Sequence, residues 1–582
     1  VKQVVIDNPV LNSPYSEPTR HFRFDSEGIT NETVAERRVS SYFIPVAKPK
    51  KRGKQLVLET EWTEERIKEN EDINRIRQRV SLWRKGGYQG VTNTTRRLLE
   101  HWQSEDRDST KRLFFCQIEA LETIIYVTEV ARKYGDAWIE NTLRERNEEA
   151  NPGLYRIALK MATGSGKTVV MAMLIAWHVL NKLANPQDDR FTDTFLVVTP
   201  GITIKDRLRV LQPEDPSGDY YRHWDLVPPD DIERLNRANI LITNFHAFLL
   251  RERGDASKTT KDILRKGEDR SAFTETPDQM VRRALRGFGS KKNIIVINDE
   301  AHHCYRRKPD GEDIKLTGDE LKEAKKRDEE ARVWISGLEA IKRKIGIKAI
   351  YDLSATPFFL RGSGYGEGTL FPWVVSDFSL IDAIESGIVK VPRVPVADNS
   401  MTGDQPTYRD LWLRIREHLP KKGRGTDPAP KEPQLPAELQ GAILSLYGNY
   451  EKHYRQWEGS HDALANGQPP PVFIVVCNNT NVSKLVFDYI AGWEKRLSDE
   501  VTVPVPGALE IFSNVEDGRW LARPNTVLID STQLESGEAM SKEFKQIASR
   551  EIDEFKNDYR IRYQGRDPEA ITDEDLLREV MN

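Results

Sequence analysis

Cysteine is nearly missing from this chain. The three present, Cys116, Cys304 and Cys477, lie far apart and form no CxxC pair. That argues against a disulfide framework or a cysteine-rich zinc site and suits a reducing, cytoplasmic setting. Long apolar runs are also lacking. The longest, Val169 to Leu180, is too short to span a bilayer and is broken by His178, so it reads as a buried helix and no membrane partner is expected. Neither charge sign dominates: 87 Lys and Arg stand against 91 Asp and Glu, a net charge of −4. A nucleic-acid partner must therefore be met by local basic surface rather than by the overall field. No repeat recurs at a fixed period, and the first residues carry no basic start followed by an apolar core, so no secretory signal is read. The chain opens on Val1 rather than Met, which suggests a fragment or a processed form. What is present is a globular composition, 38% hydrophobic and 31% charged over 582 residues, enough for several domains.

The chain divides into four expected parts. Residues 1–110 form an N-terminal arm and helical extension, with short strands such as Ser41–Val46 and the basic stretch Lys48–Lys54. Helical spacing from Thr63 to Trp102 gives Trp83, Leu98, Leu99 and Trp102 as anchors. Residues 111–395 alternate β-branched runs with helical patterns, the signature of an α/β domain with a parallel sheet. Its strands are read as Arg156–Lys160, Thr194–Val198, Ile240–Thr243, Asn293–Asn298 and Ala349–Leu353. Residues 396–470 are a helical, Pro-rich linker. Residues 471–582 start a second, incomplete α/β unit, with strands at Val472–Cys477, Leu509–Phe512 and Thr526–Ile529.

Three motifs fall where strands of the first α/β domain end, which is where open sheets bind ligands. The first is Met161-Ala-Thr-Gly-Ser-Gly-Lys-Thr168. Glycines let backbone N–H groups approach phosphate oxygens, so Thr163, Gly164, Ser165 and Gly166 cradle the phosphates of ATP. Lys167 neutralises their charge, and Thr168 ligates Mg²⁺. The second is Asp299-Glu-Ala-His302. Adjacent carboxylates at a strand end repel unless a cation lies between them; Asp299 is assigned to Mg²⁺ and Glu300 to the attacking water. The third, Ser354-Ala-Thr356, supplies small hydroxyls that can bond toward the carboxylates and pass on a nucleotide-dependent shift, with His302 between them.

With these in order, the chain resembles helicase superfamily 2, and more closely the Res subunit of type III restriction enzymes and their stand-alone bacterial relatives. The resemblance runs from about Leu113 through Val394. It implies tandem RecA-like motor domains, the second incomplete here, and an ATP hydrolase of the helicase type. It implies Gln117, in Phe115-Cys-Gln117, for the adenine edge. It places Thr199, Pro200 and Gly201 of Val197–Asp206, and Thr243 and Asn244 of Ile242–Ala247, at the nucleic-acid strand. The family's arginine motif is not found before Asn582, although Cys477-Asn-Asn-Thr480 is a candidate for the motif that opens the second domain. The arginine motif and a nuclease domain are expected beyond Asn582, so nuclease activity is not expected here. The implied function is an ATP-driven motor on double- or single-stranded DNA in restriction or phage defence, with a methyltransferase or specificity subunit as a possible partner. An RNA helicase, a DNA-repair motor and a nucleotide-gated DNA-binding module without turnover stay open.

Other features read more plainly. Pro309-Asp310 with Glu323-Ala-Lys325 spells the PD…ExK nuclease letters, but the second half lies in a charged helical run, where a solvated face is the better account. His302, His303 and Cys304 are consecutive and cannot face one ion on a regular element. The basic clusters Lys48–Lys54, Arg282–Lys292, Lys342–Lys348 and Lys421–Arg424 read singly as solvated faces. Trp83, Trp102, Trp138, Trp334 and Trp373 read as packing rather than base-stacking residues.

Overall fold

The computed structural model describes residues 6, 8–25, 28–43, 67–201, 207–214, 219–251, 274–308, 319–360, 363–366, 368–391, 411–420, 432–465, 468–496, 502–521 and 524–528. The chain divides into two units, residues 1–391 and 392–582.

The first unit begins with two small antiparallel pairs, β1 (His21–Asp25) with β2 (Gly28–Val34) and β3 (Ser41–Phe43) with β4 (Ile67–Glu69). Helix α1 (Glu71–Lys85) buries Ile73, Ile76, Val80 and Trp83, one helical stripe. Helix α2 (Asn93–Trp102) starts where the Thr92 hydroxyl accepts from the Thr95 N–H, and it buries Leu98, Leu99 and Trp102. Helix α3 (Phe115–Ile125) and α4 (Ala137–Ala150) lead into the sheet.

Six parallel strands form that sheet: β5 (Arg156–Met161), β6 (Thr194–Thr199), β7 (Asn239–Asn244), β8 (Ile294–Asp299), β9 (Ile347–Ser354) and β10 (Val374–Phe378). Their spatial order is β10-β5-β9-β8-β6-β7. Five match the runs read from sequence. The sixth, β10, was not read; its edge position beside β5 depends on a partner more than 200 residues earlier. Period-two alternation sends the strand side chains to opposite faces. Phe195, Val197, Ile295 and Ile297 join one apolar cluster with α5 (Lys167–Ala184), while Leu196, Val198, Ile294 and Val296 join another with Trp334, Leu338 and Ile341. Those last three lie on α7 (Asp319–Ile345), which follows α6 (Pro277–Ala284). The 18 residues of α5 are long and apolar enough to cross a membrane, yet Val169–Asn181 are buried within the unit. The helix therefore belongs to a sheet core.

The N-terminal arm is fastened to this core. The Phe115 N–H donates to the Pro14 carbonyl at 2.8 Å, and the Leu11 and Asn12 N–H groups donate to the Glu385 carbonyl on α8 (Leu380–Glu385). Arg37 donates twice to the buried Glu119 carboxylate, at 2.6 and 2.5 Å. The Ser40 hydroxyl donates to Asp377 at 2.6 Å, whose other oxygen meets Lys160 at 2.8 Å.

The second unit gathers Ile415, Leu419, Leu435, Ile443, Val482, Val486, Ile490, Leu509 and Phe512. Here all three strand expectations fail; residues 526–528 carry no strand, and Ile529 lies outside the described residues. Residues 472–477 pair with no strand among the described residues, and Val472, Ile474 and Val476 are 76%, 78% and 90% exposed. Residues 510–512 form a 3-10 turn. β-branched composition favours a strand only where a neighbour supplies ladder bonds and packing. The paired strands of this unit are short hairpins, Gly492–Arg496 with Thr502–Pro506 and Val515–Glu516 with Arg519–Trp520. The Cys477–Thr480 stretch supplies a helix cap: Asn479 accepts from the Val482 N–H at 3.0 Å.

Candidate active site at the sheet edge

The phosphate loop begins where β5 ends. Gly164 and Gly166 adopt φ of +83° and +86°, which L side chains rarely tolerate. The Ser165 hydroxyl donates to the Ala162 carbonyl at 2.6 Å, tightening the turn, and Thr163 and Gly164 are exposed at its tip. Lys167 opens α5, so the loop faces the helix N-terminus, where unpaired N–H groups and the macrodipole favour anions. Behind the loop, Gln117 is 4% exposed. Its side-chain oxygen accepts from the Phe114 N–H at 3.0 Å and its nitrogen donates to the Ser165 carbonyl at 3.1 Å. A Cβ on Gly166 would lie 2.1 Å from that nitrogen. In this state Gln117 buttresses the loop.

Strand order brings the other motifs alongside. β9 lies between β5 and β8, so the ends carrying the loop and the acidic pair are about 10 Å apart. Lys167 Nζ sits 3.1 Å from Glu300 Oε1. Glu300 holds φ +47°, an uncommon backbone for a non-glycine residue, and its N–H donates to Asp299 Oδ1 at 3.1 Å. His302 Nδ1 lies 3.5 Å from Glu300 Oε2 and 2.9 Å from Ser354 Oγ, which also accepts from the Thr356 N–H at 3.1 Å. Lys167, Glu300, His302, Ser354 and Thr356 thus form one connected line. Burial, with the Glu300 carboxylate beside it, pushes the Asp299 carboxyl up to about 6 against the lowering effect of Lys167. Burial and the neighbouring His303 pull the His302 imidazole down to about 4, against the raising effect of Glu300. His302 is therefore neutral near pH 7.

The donor set fits Mg²⁺: a hydroxyl at Thr168 and a carboxylate at Asp299 are hard oxygen ligands. The adjacent Asp299 and Glu300 carboxylates have Lys167 as their counter-charge in this structure.

The outer strands differ. Thr199 on β6 is fully buried, and its hydroxyl donates to the Gly201 carbonyl at 2.8 Å. It shapes the turn, so the outward surface there is that of Pro200 and Gly201. Thr243 and Asn244 end β7 directly beside Val198 and Thr199, half-buried. These five residues lie on the same sheet edge as the ATP motifs, two and three strands from β9.

The remaining sequence readings find their places as follows. Glu323-Ala-Lys325 lies within helix α7, and Pro309-Asp310 falls outside the described residues, as do Ile202–Asp206, Lys48–Lys54 and Lys421–Arg424. In the basic clusters that are described, Lys291 pairs with Asp193 at 2.6 Å and Lys342 donates to the Ile347 carbonyl at 2.7 Å. Trp102, Trp334 and Trp373 are core residues at 1%, 0% and 0% exposure. One group escaped the reading altogether: Arg156, Asn298 and Asp352, polar residues inside apolar strands and fully or almost fully buried. Their signal was visible, since a charge inside a buried strand needs a partner.

Comparison with known proteins bears on this geometry. Residues 113–359, under half of the chain, match the family model described as type III restriction enzyme, res subunit. No curated protein matches the chain. Among solved structures, that of T4 UvsW aligns over 50% of this chain and 42% of that one, at 13% identity and a TM-score of 0.19. The loop, acidic pair and Ser-Ala-Thr all fall inside the matched span, so residues 113–359 form a domain similar to the Res subunit of type III restriction enzymes, and the likeness covers the motifs built into this site.

Proposed function

We propose that this chain is an ATP-driven DNA translocase or helicase motor of a bacterial restriction or phage-defence system, acting in the cytoplasm, with a methyltransferase or specificity subunit as its partner. The observation that carries the reading is the unbroken line from Lys167 through Glu300 and His302 to Ser354 at one sheet edge. The γ-phosphate of ATP competes with Glu300 for the Lys167 ammonium. Once released, the Glu300 carboxylate orients and deprotonates the attacking water. Thr163 to Gly166 wrap the phosphates with backbone N–H groups, and Gln117 holds the loop and reads the base. Thr168 and Asp299 would hold Mg²⁺, which when bound would neutralise charge on the phosphate oxygens. His302 senses the position of Glu300 and passes it to Ser354 and Thr356. From there it reaches the turn at Thr199, Pro200 and Gly201 and the ends at Thr243 and Asn244, where the DNA backbone is gripped.

Glu300→Gln tests the assignment. It is expected to keep ATP binding and to slow phosphate release by roughly a thousandfold, the scale of a lost general base. Unchanged release would remove Glu300 from the role. DNA should stimulate release more than RNA; the reverse favours an RNA helicase. No release by the unmodified protein, with equal DNA affinity in ATP and a non-hydrolysable analogue, favours a nucleotide-gated binding module.

A further inference from the structure

Beneath the site runs a buried polar chain. Asp352 Oδ2 accepts from Arg156 Nε at 2.7 Å and from Trp373 Nε1 at 2.8 Å. Its other oxygen accepts from Asn298 Nδ2 at 2.8 Å, and Asn298 Oδ1 accepts from Trp334 Nε1 at 3.2 Å. Arg156 also donates to Asn151 at 3.0 Å and stacks over the Trp373 ring at 4.7 Å. None of Arg156, Asn298, Asp352, Trp334 and Trp373 is more than 1% exposed. Stability alone is a poor reason for such a cluster, because a buried ion pair loses hydration that apolar residues of the same volume never had.

Position supplies the reason. Arg156 starts the strand that ends in the phosphate loop. Asn298 immediately precedes Asp299, and Asp352 stands two residues before Ser354 on the same face of β9. Asn298 and Asp352 are register partners, and the next pair, Asp299 with Leu353, is the last on that ladder. Glu300 lies beyond that ladder, so the residues around the last pair set how the acidic residues leave the sheet. The Asn298 amide is gripped from one side by Asp352 and from the other by α7 through Trp334, one residue before the carboxylate assigned to Mg²⁺.

We propose that Asn298, held by Asp352 and Trp334, is a positioning residue that aims the Asp299 carboxylate at the nucleotide-bound metal. The inference rests on the assignment of Asp299 as the Mg²⁺ ligand. It predicts a defect in Mg²⁺ use out of proportion to any loss of stability. Residues that orient metal ligands typically change metal affinity by about 10–100-fold.

The test uses the full chain and measures ATP binding as a function of Mg²⁺ concentration, alongside thermal unfolding. Asn298→Leu removes both grips with the same branching and number of side-chain heavy atoms. Trp334→Phe removes only the N–H and keeps a ring against Phe245, so it guards against a variant that does not fold. Leu338→Ala, in the same cluster on α7, is the control for plain destabilisation. The expected result is a rise of about tenfold in half-saturating Mg²⁺ for Asn298→Leu and about threefold for Trp334→Phe. ATP binding without Mg²⁺ should stay unchanged in both, and Leu338→Ala should show no rise despite a lower Tm. If the Mg²⁺ requirement follows Tm across the three variants, or does not move, the positioning role is overturned. Asp299→Asn in the same titration separates the two claims: an unchanged Mg²⁺ requirement there refutes the metal assignment itself. Absence of phosphate release by the unmodified protein refutes turnover and leaves the Mg²⁺ titration to decide the rest.

Discussion

The central strands β5, β9 and β8 and the outer strands β6 and β7 belong to one parallel sheet and end at one edge, yet their ends are built differently. The central ends carry ionised and titratable groups in contact: Lys167, Asp299, Glu300, His302 and the Ser354 hydroxyl. The outer ends carry neutral residues already engaged at home, such as Thr199 with its hydroxyl on Gly201. Charge concentrated over the middle of the sheet suits a compact polyanion and a cation. Neutral turns toward the edge suit backbone contact with an extended chain of phosphates. One sheet edge thus has a charged half at its middle and a neutral half toward its side, and charge rather than depth of burial separates them.

After Glu300→Gln, the largest expected effect comes from disturbing the central half at its tightest point. Gly166→Ala forces a side chain into positive φ and against Gln117, and it should raise the KM for ATP by roughly a hundredfold, a little under 3 kcal/mol. Equal activity in Gly166→Ala would show that the loop does not depend on Gln117. A second prediction concerns His178, buried on α5 with its Nε2 3.0 Å from the Tyr351 hydroxyl on β9. Burial, with Lys348 adding to it, pulls its imidazole down to about 3. The unfolded chain takes up this proton near pH 6.5 while the folded chain refuses it until about 3. Stability from this group is therefore complete above pH 6.5 and falls as pH drops toward 3, by about 2 kcal/mol at pH 5. Urea unfolding at pH 7.5 and pH 5 reads it, and a His178→Phe variant should lose that part of the pH dependence.

Smaller effects sharpen the contrast. Ser354→Ala removes the contact with His302 and should lower DNA-stimulated phosphate release by about tenfold, with basal release less affected. A uniform loss with and without DNA would place Ser354 in hydrolysis rather than coupling. Thr199→Val should change DNA affinity least, under about 1 kcal/mol, because the hydroxyl faces Gly201 rather than outward. A tenfold or greater loss of DNA affinity would return Thr199 to direct contact and erase the distinction between the two halves.

The catalytic letters were legible because they are local. A glycine-rich turn between an apolar strand and an apolar helix, or two carboxylates closing the strand Ile294–Asp299, announces itself within about ten residues. What stayed hidden is long-range. Arg156 meets Asp352 across 196 positions, Ser40 meets Asp377 across 337, and β10 is a strand only because β5 lies beside it. Val472–Cys477 shows the opposite error, a run with every strand preference and no paired neighbour among the described residues.

By itself, then, the order of residues determined which chemistry is available and at which strand ends it would be found, since backbone turns and side-chain alternation are short-range properties. Only the tertiary structure decided that Glu300 meets Lys167, that His302 reaches Ser354, and that a buried Asn298 stands braced behind the acidic pair. Those contacts exist because crossover connections place β9 between β5 and β8, and strand order is a global choice that no local pattern encodes.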